Sequence, residues 1–351
     1  SIRRAVVFLN EKKKPISIQD FEVLAAIGKG NYGRVLQVMK KDSGMVYAMK
    51  ILDKSRIIKN EELEQALTEK RVLQNAIHPF IVQLYFSFQS DTQLFFVLDY
   101  VSGGELLYRL QQCKHFDEDT ARFYAAEILC AIEYLHNLGV IYRDLKLENI
   151  LINDDGHIML TDFGLSKTGM NGPKARTKTV CGTPEYLAPE ILTEQGYTNS
   201  VDYWSLGVAI YEMLTGSTPF NNPDVIKLYN MIANADVEYP PTMSEVAKSL
   251  IQALLQRNAQ KRLDDPSAIK KHPFFSKMDF DKLVAKEIVP PYIPDVMDKT
   301  DTSNVAPKYK LDKAALKDDE SNPMILTGLA QQQFSEFSFF APSSPAKATT
   351  K

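Results

Sequence analysis

The 351-residue sequence predicts an α+β protein of two unequal lobes, a small β lobe followed by a larger, mainly α-helical one. Two observations carry this. Short β-branched or aromatic runs, Phe21-Glu22-Val23-Leu24, Val35-Leu36-Gln37-Val38 and Val46-Tyr47-Ala48-Met49-Lys50, are separated by Gly-bearing turns, and Leu84 to Val101 returns to the same character. By contrast, Thr120 to Leu138 and Val201 to Leu214 are apolar on nearly every side, the mark of helices buried in the middle of a domain.

Between the two strand regions, Glu61 to Leu73 takes helical spacing, with Leu63, Leu67, Lys70 and Leu73 along one side. The first lobe, about 21–98, is therefore expected to be a five-stranded antiparallel sheet with one main helix. A hinge follows at about 99–104 and a helical lobe at about 105–275. Residues 1–20 form an N-terminal extension. Past Pro290 the composition turns to Pro, Asp, Lys and Ser with little periodicity, so 276–351 reads as a tail that drapes or is partly disordered, and not a third domain.

Composition excludes several functions. A net charge of −3 offers no strongly basic surface for nucleic acid. Three cysteines, Cys113, Cys130 and Cys181, lack metal-ligand spacing and favour a reducing, intracellular setting. No apolar stretch reaches 18 residues, so no transmembrane helix is expected. Ser1-Ile2-Arg3-Arg4 opens no signal-peptide core, and the lack of an initiator Met leaves room for an upstream domain. Lys12-Lys13-Lys14 reads as a solvated run.

Three motifs carry chemistry. Gly28-Lys29-Gly30-Asn31-Tyr32-Gly33-Arg34-Val35 lies between two strand candidates. The same spacing marks dinucleotide sites, but there a helix follows the glycines; here a strand follows, which suits a loop covering nucleotide phosphates. Lys50 alone would be a solvated strand-end residue; Glu69, on the next helix, gives it a partner that would hold the ammonium against phosphates. The runs Ile141-Tyr142-Arg143-Asp144-Leu145-Lys146-Leu147-Glu148-Asn149 and Thr161-Asp162-Phe163-Gly164 then place a carboxylate for an attacking hydroxyl (Asp144) and two hard oxygen ligands for Mg²⁺ (Asn149 and Asp162), with Lys146 available to neutralise a transferred phosphoryl group.

With these motifs in one register, residues 21–275 resemble a eukaryotic protein kinase domain. Ala188-Pro189-Glu190 with Arg262, Asp202-x-Trp204, and an apolar column of Phe163, Tyr142, Leu73 and Leu84 extend the likeness. The resemblance implies ATP and Mg²⁺ (Mn²⁺ as a substitute) and an ATP site at Ile27, Gly28, Gly30, Gly33, Val35, Ala48, Lys50, Glu69, Leu98, Asp99, Val101, Glu105, Leu151, Thr161 and Asp162. A pseudokinase scaffold would have lost Lys50, Asp144, Asn149 or Asp162, and all four are present.

Thr179-Val180-Cys181-Gly182-Thr183-Pro184-Glu185-Tyr186, and Tyr142 in place of the usual His, resemble the AGC group, closest to Akt, SGK and the ribosomal-protein or mitogen-and-stress-activated kinases. The likeness implies Ser/Thr specificity, with Thr183 bonded to Asp144 and Lys146. It further implies an activation-loop phosphosite at Thr179, docking on Arg143 and Lys167, and a hydrophobic motif of Phe334, Phe337, Ser338 and Phe339. That motif would fold back onto a groove lined by Lys54, Ile58, Leu63 and Leu94, with Ser338 phosphorylated. Glu105, Glu148 and Glu212 match positions that bind basic residues upstream of the acceptor. The expected partners are such substrates and a phosphoinositide-dependent-type activating kinase; the expected state is monomeric, in the cytoplasm and also the nucleus.

Three departures stand out: Gln65 replaces a His or Arg that would contact the Thr179 phosphate, Asp301-Thr302-Ser303-Asn304-Val305 lacks the usual Phe after Ser-Asn, and Ser321 matches the turn-motif phosphosite only loosely. Cys181, beside the peptide-binding segment, reads as an inert thiol.

Overall fold

The computed structural model describes residues 16–30, 33–172, 175–193, 195–309 and 328–341. Strands β1 (Phe21–Gly30), β2 (Gly33–Lys40) and β3 (Val46–Asp53) form an antiparallel meander in which Val35 lies opposite Lys50. The glycine motif is thus the β1–β2 hairpin. Gly33 is required there because a Cβ would collide with the Ile51 carbonyl on the neighbouring strand.

Asp53 ends β3 and caps a short helix α1 (Lys54–Lys59), its carboxylate accepting from Ser55 and Arg56 N–H. The main helix α2 runs Leu63–Asn75 and starts later than the spacing predicts, because Glu61 takes a left-handed φ of 59° between the two helices. Strands β4 (Leu84–Gln89) and β5 (Gln93–Asp99) complete the five expected strands.

The described residues hold a sixth. Phe339–Phe340 of the tail, the last strand β8, pairs with the edge strand β4, so the sheet order is β1-β2-β3-β5-β4-β8. Two residues would form no strand alone; an unpaired edge supplies the template.

In the large lobe, α3 (Leu106–Cys113) follows the hinge and α4 (Glu118–Asn137) is capped by Asp117, which accepts from Thr120 N–H. The hairpin β6 (Ile150–Ile152) and β7 (Ile158–Leu160) faces the small lobe. Helix α5 (Ser200–Thr215) is buried at every position from Ser200 to Met213 and ends at Gly216 in the left-handed region, φ 83°. Helix α7 (Glu245–Leu254) packs against it, and α6 (Val225–Asn234) packs against the turns Pro184–Tyr186 and Pro189–Leu192. Glu190 and the buried Arg262 form the expected pair, bidentate at 2.5 and 2.8 Å.

One carboxylate, Asp202, sits inside α5 with no exposure at all. It accepts from the backbone N–H of Tyr142 (2.9 Å) and Arg143 (2.8 Å) and lies 2.7 Å from His136 Nε2. A buried charge is tolerable only when its lone pairs are filled this way. The left-handed φ of Arg143, 70°, is held by the same contacts.

The tail recrosses the hinge. Tyr100 Oη donates to the Asp301 carbonyl, Gln37 Nε2 to the Thr300 carbonyl (3.0 Å) and Asn304 Nδ2 to the Ser102 carbonyl (3.2 Å). The Asn304 carbonyl fills the place a Cβ would need at Gly104. Even without the expected Phe, this stretch is anchored, with Val305 half-buried and Ala306 buried.

Asp202→Ala leaves two buried N–H groups and His136 Nε2 without a partner. Urea unfolding should show a loss of about 2–4 kcal/mol, with Asp202→Asn intermediate; a loss below about 1 kcal/mol would refute the role given to this carboxylate.

Candidate active site

Asp144 is the centre of a closed set of hydrogen bonds. Its Oδ1 accepts from Thr183 Oγ1 at 2.8 Å and its Oδ2 from Asn149 Nδ2 at 2.9 Å, with Lys146 Nζ 3.1 Å away. Lys146 Nζ also donates to Thr183 Oγ1 at 2.8 Å, closing the ring. The four residues that the motifs predict therefore meet across a separation of 39 residues.

Lys50 Nζ donates to Glu69 Oε1 at 2.7 Å and to Asp162 Oδ1 at 2.9 Å. Burial pushes the ammonium down, but the two carboxylates overcome this and it stands above its ordinary value. Lys50 in turn holds Asp162 below the usual carboxylate range, while burial pushes Glu69 up. Asp162 is left half-exposed, in the left-handed region at φ 58°. A small open pocket lies here between β3, α1, α2 and Asp162, with Gln65 in its wall.

Phe163, Tyr142, Leu73 and Leu84 are fully buried in one core, and the Tyr142 and Phe163 rings meet edge to face at 5.4 Å. The Tyr142 hydroxyl donates to the Thr161 carbonyl and ties the Asp144 segment to the Asp162 segment.

Ile27, Gly28, Val35, Ala48 and Leu151 are half-buried, while Leu98 and Val101 are buried at the hinge. Gly28 lies opposite Val35 and Ala48 opposite Leu98. Gly30 ends β1, and Thr161 N–H donates to the Asn149 carbonyl at 3.0 Å. Asp99 turns its carboxylate away, accepting from Gln83 N–H (2.8 Å) and Tyr85 Oη (2.9 Å), so its backbone is what it presents to the cleft.

Three acidic side chains gather beyond Asp144. Glu212 accepts from Tyr186 Oη, and burial, with Glu148 and Glu185 adding to it, pushes its carboxyl up to about 7. Burial also raises Glu148, and Glu105 adds to the effect. Glu148 Oε2 is buried and accepts no hydrogen bond. Glu105 Oε2 lies 3.4 Å from Lys308 Nζ of the tail.

Thr179 is exposed, and its carbonyl accepts from Tyr197 Oη at 2.6 Å. Arg143 reaches the same hydroxyl at 3.2 Å and donates to the Leu165 carbonyl at 2.6 Å. Lys167 is exposed nearby in chain, bridged to Ile141. Tyr197 is thus a connector that no motif pointed to. Burial pushes the Cys181 thiol up, in keeping with an inert group.

The hydrophobic motif occupies its groove. Phe334 and Phe337 are fully buried, Phe339 half-buried and Ser338 exposed between them. Lys54 Nζ lies 4.9 Å over the Phe334 ring and donates to Gln331 Oε1; Leu94, Ile58 and Leu63 belong to the same core. Ser87 Oγ and Gln89 Nε2 donate to the Phe337 and Phe334 carbonyls, both at 2.6 Å. Lys70, donating to the Glu336 carbonyl, was missed; its position on the apolar side of α2 was the available signal. Ser321 lies outside the described residues.

Comparison with known proteins agrees with this geometry. Residues 21–275 match the family model described as protein kinase domain. The chain is 47% identical over 333 residues to a RAC family serine/threonine-protein kinase homolog of Dictyostelium discoideum, covering 95% of this chain and 74% of that protein. It is 47% identical to the serine/threonine-protein kinase YPK1 of Saccharomyces cerevisiae (89% and 46% covered) and 44% identical to the RAC-beta serine/threonine-protein kinase of Mus musculus (84% and 62% covered). The chain thus spans between 46% and 74% of the length of these relatives. A Lys50–Glu69 pair, a bonded Asp144–Asn149–Thr183 set and a match across the whole two-lobed region leave one conclusion: the chain belongs to the protein kinase domain family and, within it, to the AGC group of serine/threonine kinases.

Proposed function

We propose that this kinase transfers the γ-phosphoryl group of MgATP to Ser or Thr in substrates carrying upstream arginine, under the control of Thr179 and Ser338 phosphorylation. The substrate reading rests on Glu148 Oε2, a buried carboxylate oxygen without a hydrogen bond beside Glu105 and Glu212. Such an atom is costly unless a cation completes it, and a guanidinium fork suits it.

The residues present fit MgATP. Glycines 28, 30 and 33 let backbone N–H groups approach anionic oxygens. Lys50, steadied by Glu69, would face the phosphates. Asp162 and the amide oxygen of Asn149, whose Nδ2 is committed to Asp144, are hard donors of the kind magnesium takes. Bound there, the metal would neutralise charge on the phosphate oxygens. Asp144 orients the acceptor hydroxyl and takes its proton, and Lys146 neutralises charge on the group in transfer. Positioning and charge neutralisation supply most of the rate.

Phosphate on Thr179 would add charge-assisted bonds to Arg143, which already shares Tyr197 with it, and to Lys167. Gln65 adds no cation, so this phosphate couples less directly to α2. Phosphate on Ser338 would fix the motif, and with it α2 through Lys70.

Asp144→Asn should keep nucleotide binding and lower phosphoryl transfer to a labelled-ATP peptide substrate by about 10²–10⁴-fold; near-normal transfer would refute the assigned base. Thr179→Ala should reduce activity about ten- to hundredfold, the worth of one or two charge-assisted bonds. Full activity of the protein shown unphosphorylated by intact-mass analysis would overturn the control assigned to Thr179.

The raised Glu212 sets a pH dependence. Its carboxyl keeps a proton up to about 7 and binds a guanidinium only once ionised. KM for an Arg-bearing peptide should therefore fall as pH rises from about 6 to about 8, and Glu212→Gln should flatten that profile. Overlaying profiles, or a peptide array without upstream Arg preference, would sink the assignment.

A further inference from the structure

Lys50 and Lys146 have partners within the catalytic set, but a third cation reaches the site from elsewhere. Lys308 stands in the 3₁₀ turn Pro307–Tyr309 of the tail, and its ammonium lies 3.4 Å from Glu105 Oε2. The two ends differ: the Glu105 side chain is 14% exposed and fixed at the start of α3, whereas that of Lys308 is 55% exposed. The carboxylate is a built-in fixture and the cation is displaceable.

The path that brings Lys308 there is anchored. Asn304 Nδ2 donates to the Ser102 and Asp295 carbonyls, its own carbonyl seats on Gly104, and Ala306 is buried. Four residues later the ammonium meets Glu105, 4.5 Å from the Tyr309 ring centroid. A turn fixed so close upstream raises the local concentration of this cation at one carboxylate. Glu148, the neighbour with the unfilled oxygen, also feels the Lys308 charge.

We propose that Lys308 is a specificity-determining residue: in the substrate-free enzyme it occupies the Glu105 carboxylate that an upstream basic residue of the substrate would take, so tail and substrate compete for one seat. This rests on the basic-residue reading of Glu105 given above. A substrate with a neutral residue at that position leaves the Lys308–Glu105 pair in place, whereas one with arginine must displace it. The displacement is feasible because an exposed lysine contact is weak and a guanidinium can bind bidentately. Lys308 therefore lowers the advantage of arginine over a neutral residue without abolishing it.

The test uses the full chain with Lys308→Gln, which removes the charge and keeps a polar side chain, together with Glu105→Gln and the double variant. The probes are a Ser peptide with one arginine walked through the upstream positions and its all-alanine parent. At the position where Glu105→Gln removes the arginine advantage, Lys308→Gln should enlarge the KM ratio of parent to arginine peptide about two- to fivefold. The enlargement should vanish in the double variant and shrink at high salt. An unchanged ratio in Lys308→Gln, with Glu105→Gln still removing the advantage, overturns the competition alone. An arginine advantage that survives Glu105→Gln at every position overturns the reading of Glu105 and the competition with it.

Discussion

The burial of Asp202 is the constraint on which the site depends. Its carboxylate has no solvent, so the backbone N–H groups of Tyr142 and Arg143 must stay where they can fill it. That fixes the backbone immediately before Asp144 and holds Arg143 in a conformation non-glycine residues avoid. From this point contacts run in two directions: Tyr142 reaches Thr161 and meets Phe163 edge to face, and Arg143 reaches Tyr197 and the Leu165 carbonyl. Asp144 is thus placed from behind by α5, and the far end of the same helix carries Glu212 of the acidic cluster.

Two electrostatic regimes divide the site. Around Lys50 opposite charges meet, one ammonium against two carboxylates, and the Lys50–Asp162 contact crosses the lobes. Around Glu105, Glu148 and Glu212 acidic groups accumulate and burial raises two of them. Buried ion pairs contribute little net stability, but an unbalanced cluster is a strong determinant of what binds.

Much of this was legible in the sequence because the relevant residues lie on short, stiff segments. Asp144, Lys146 and Asn149 are fixed relative to one another by a few backbone dihedrals, and Lys50 of β3 meets Glu69 of α2 with only the short α1 between them in the chain. Long helices buried all round, such as Ser200–Thr215, declared themselves by composition. What remained hidden depends on tertiary context. Tyr197 bridges Arg143 and Thr179 by a hydroxyl whose position no periodicity encodes. Asp99 turns from the cleft because Tyr85 and the Gln83 N–H compete for it. The sixth strand exists only because β4 had a free edge, and α2 begins late because Glu61 bends the chain before it.

The tail touches both lobes on its way: Tyr292 stacks under Arg109 at 3.9 Å in the large lobe, Thr300 takes a hydrogen bond from Gln37 of β2, and Phe334 and Phe337 are sunk beside α2. Between Tyr292 and Thr300 the tail therefore joins the lobes a second time, outside the hinge, so their mutual angle is held by tail contacts as well as by the hinge backbone.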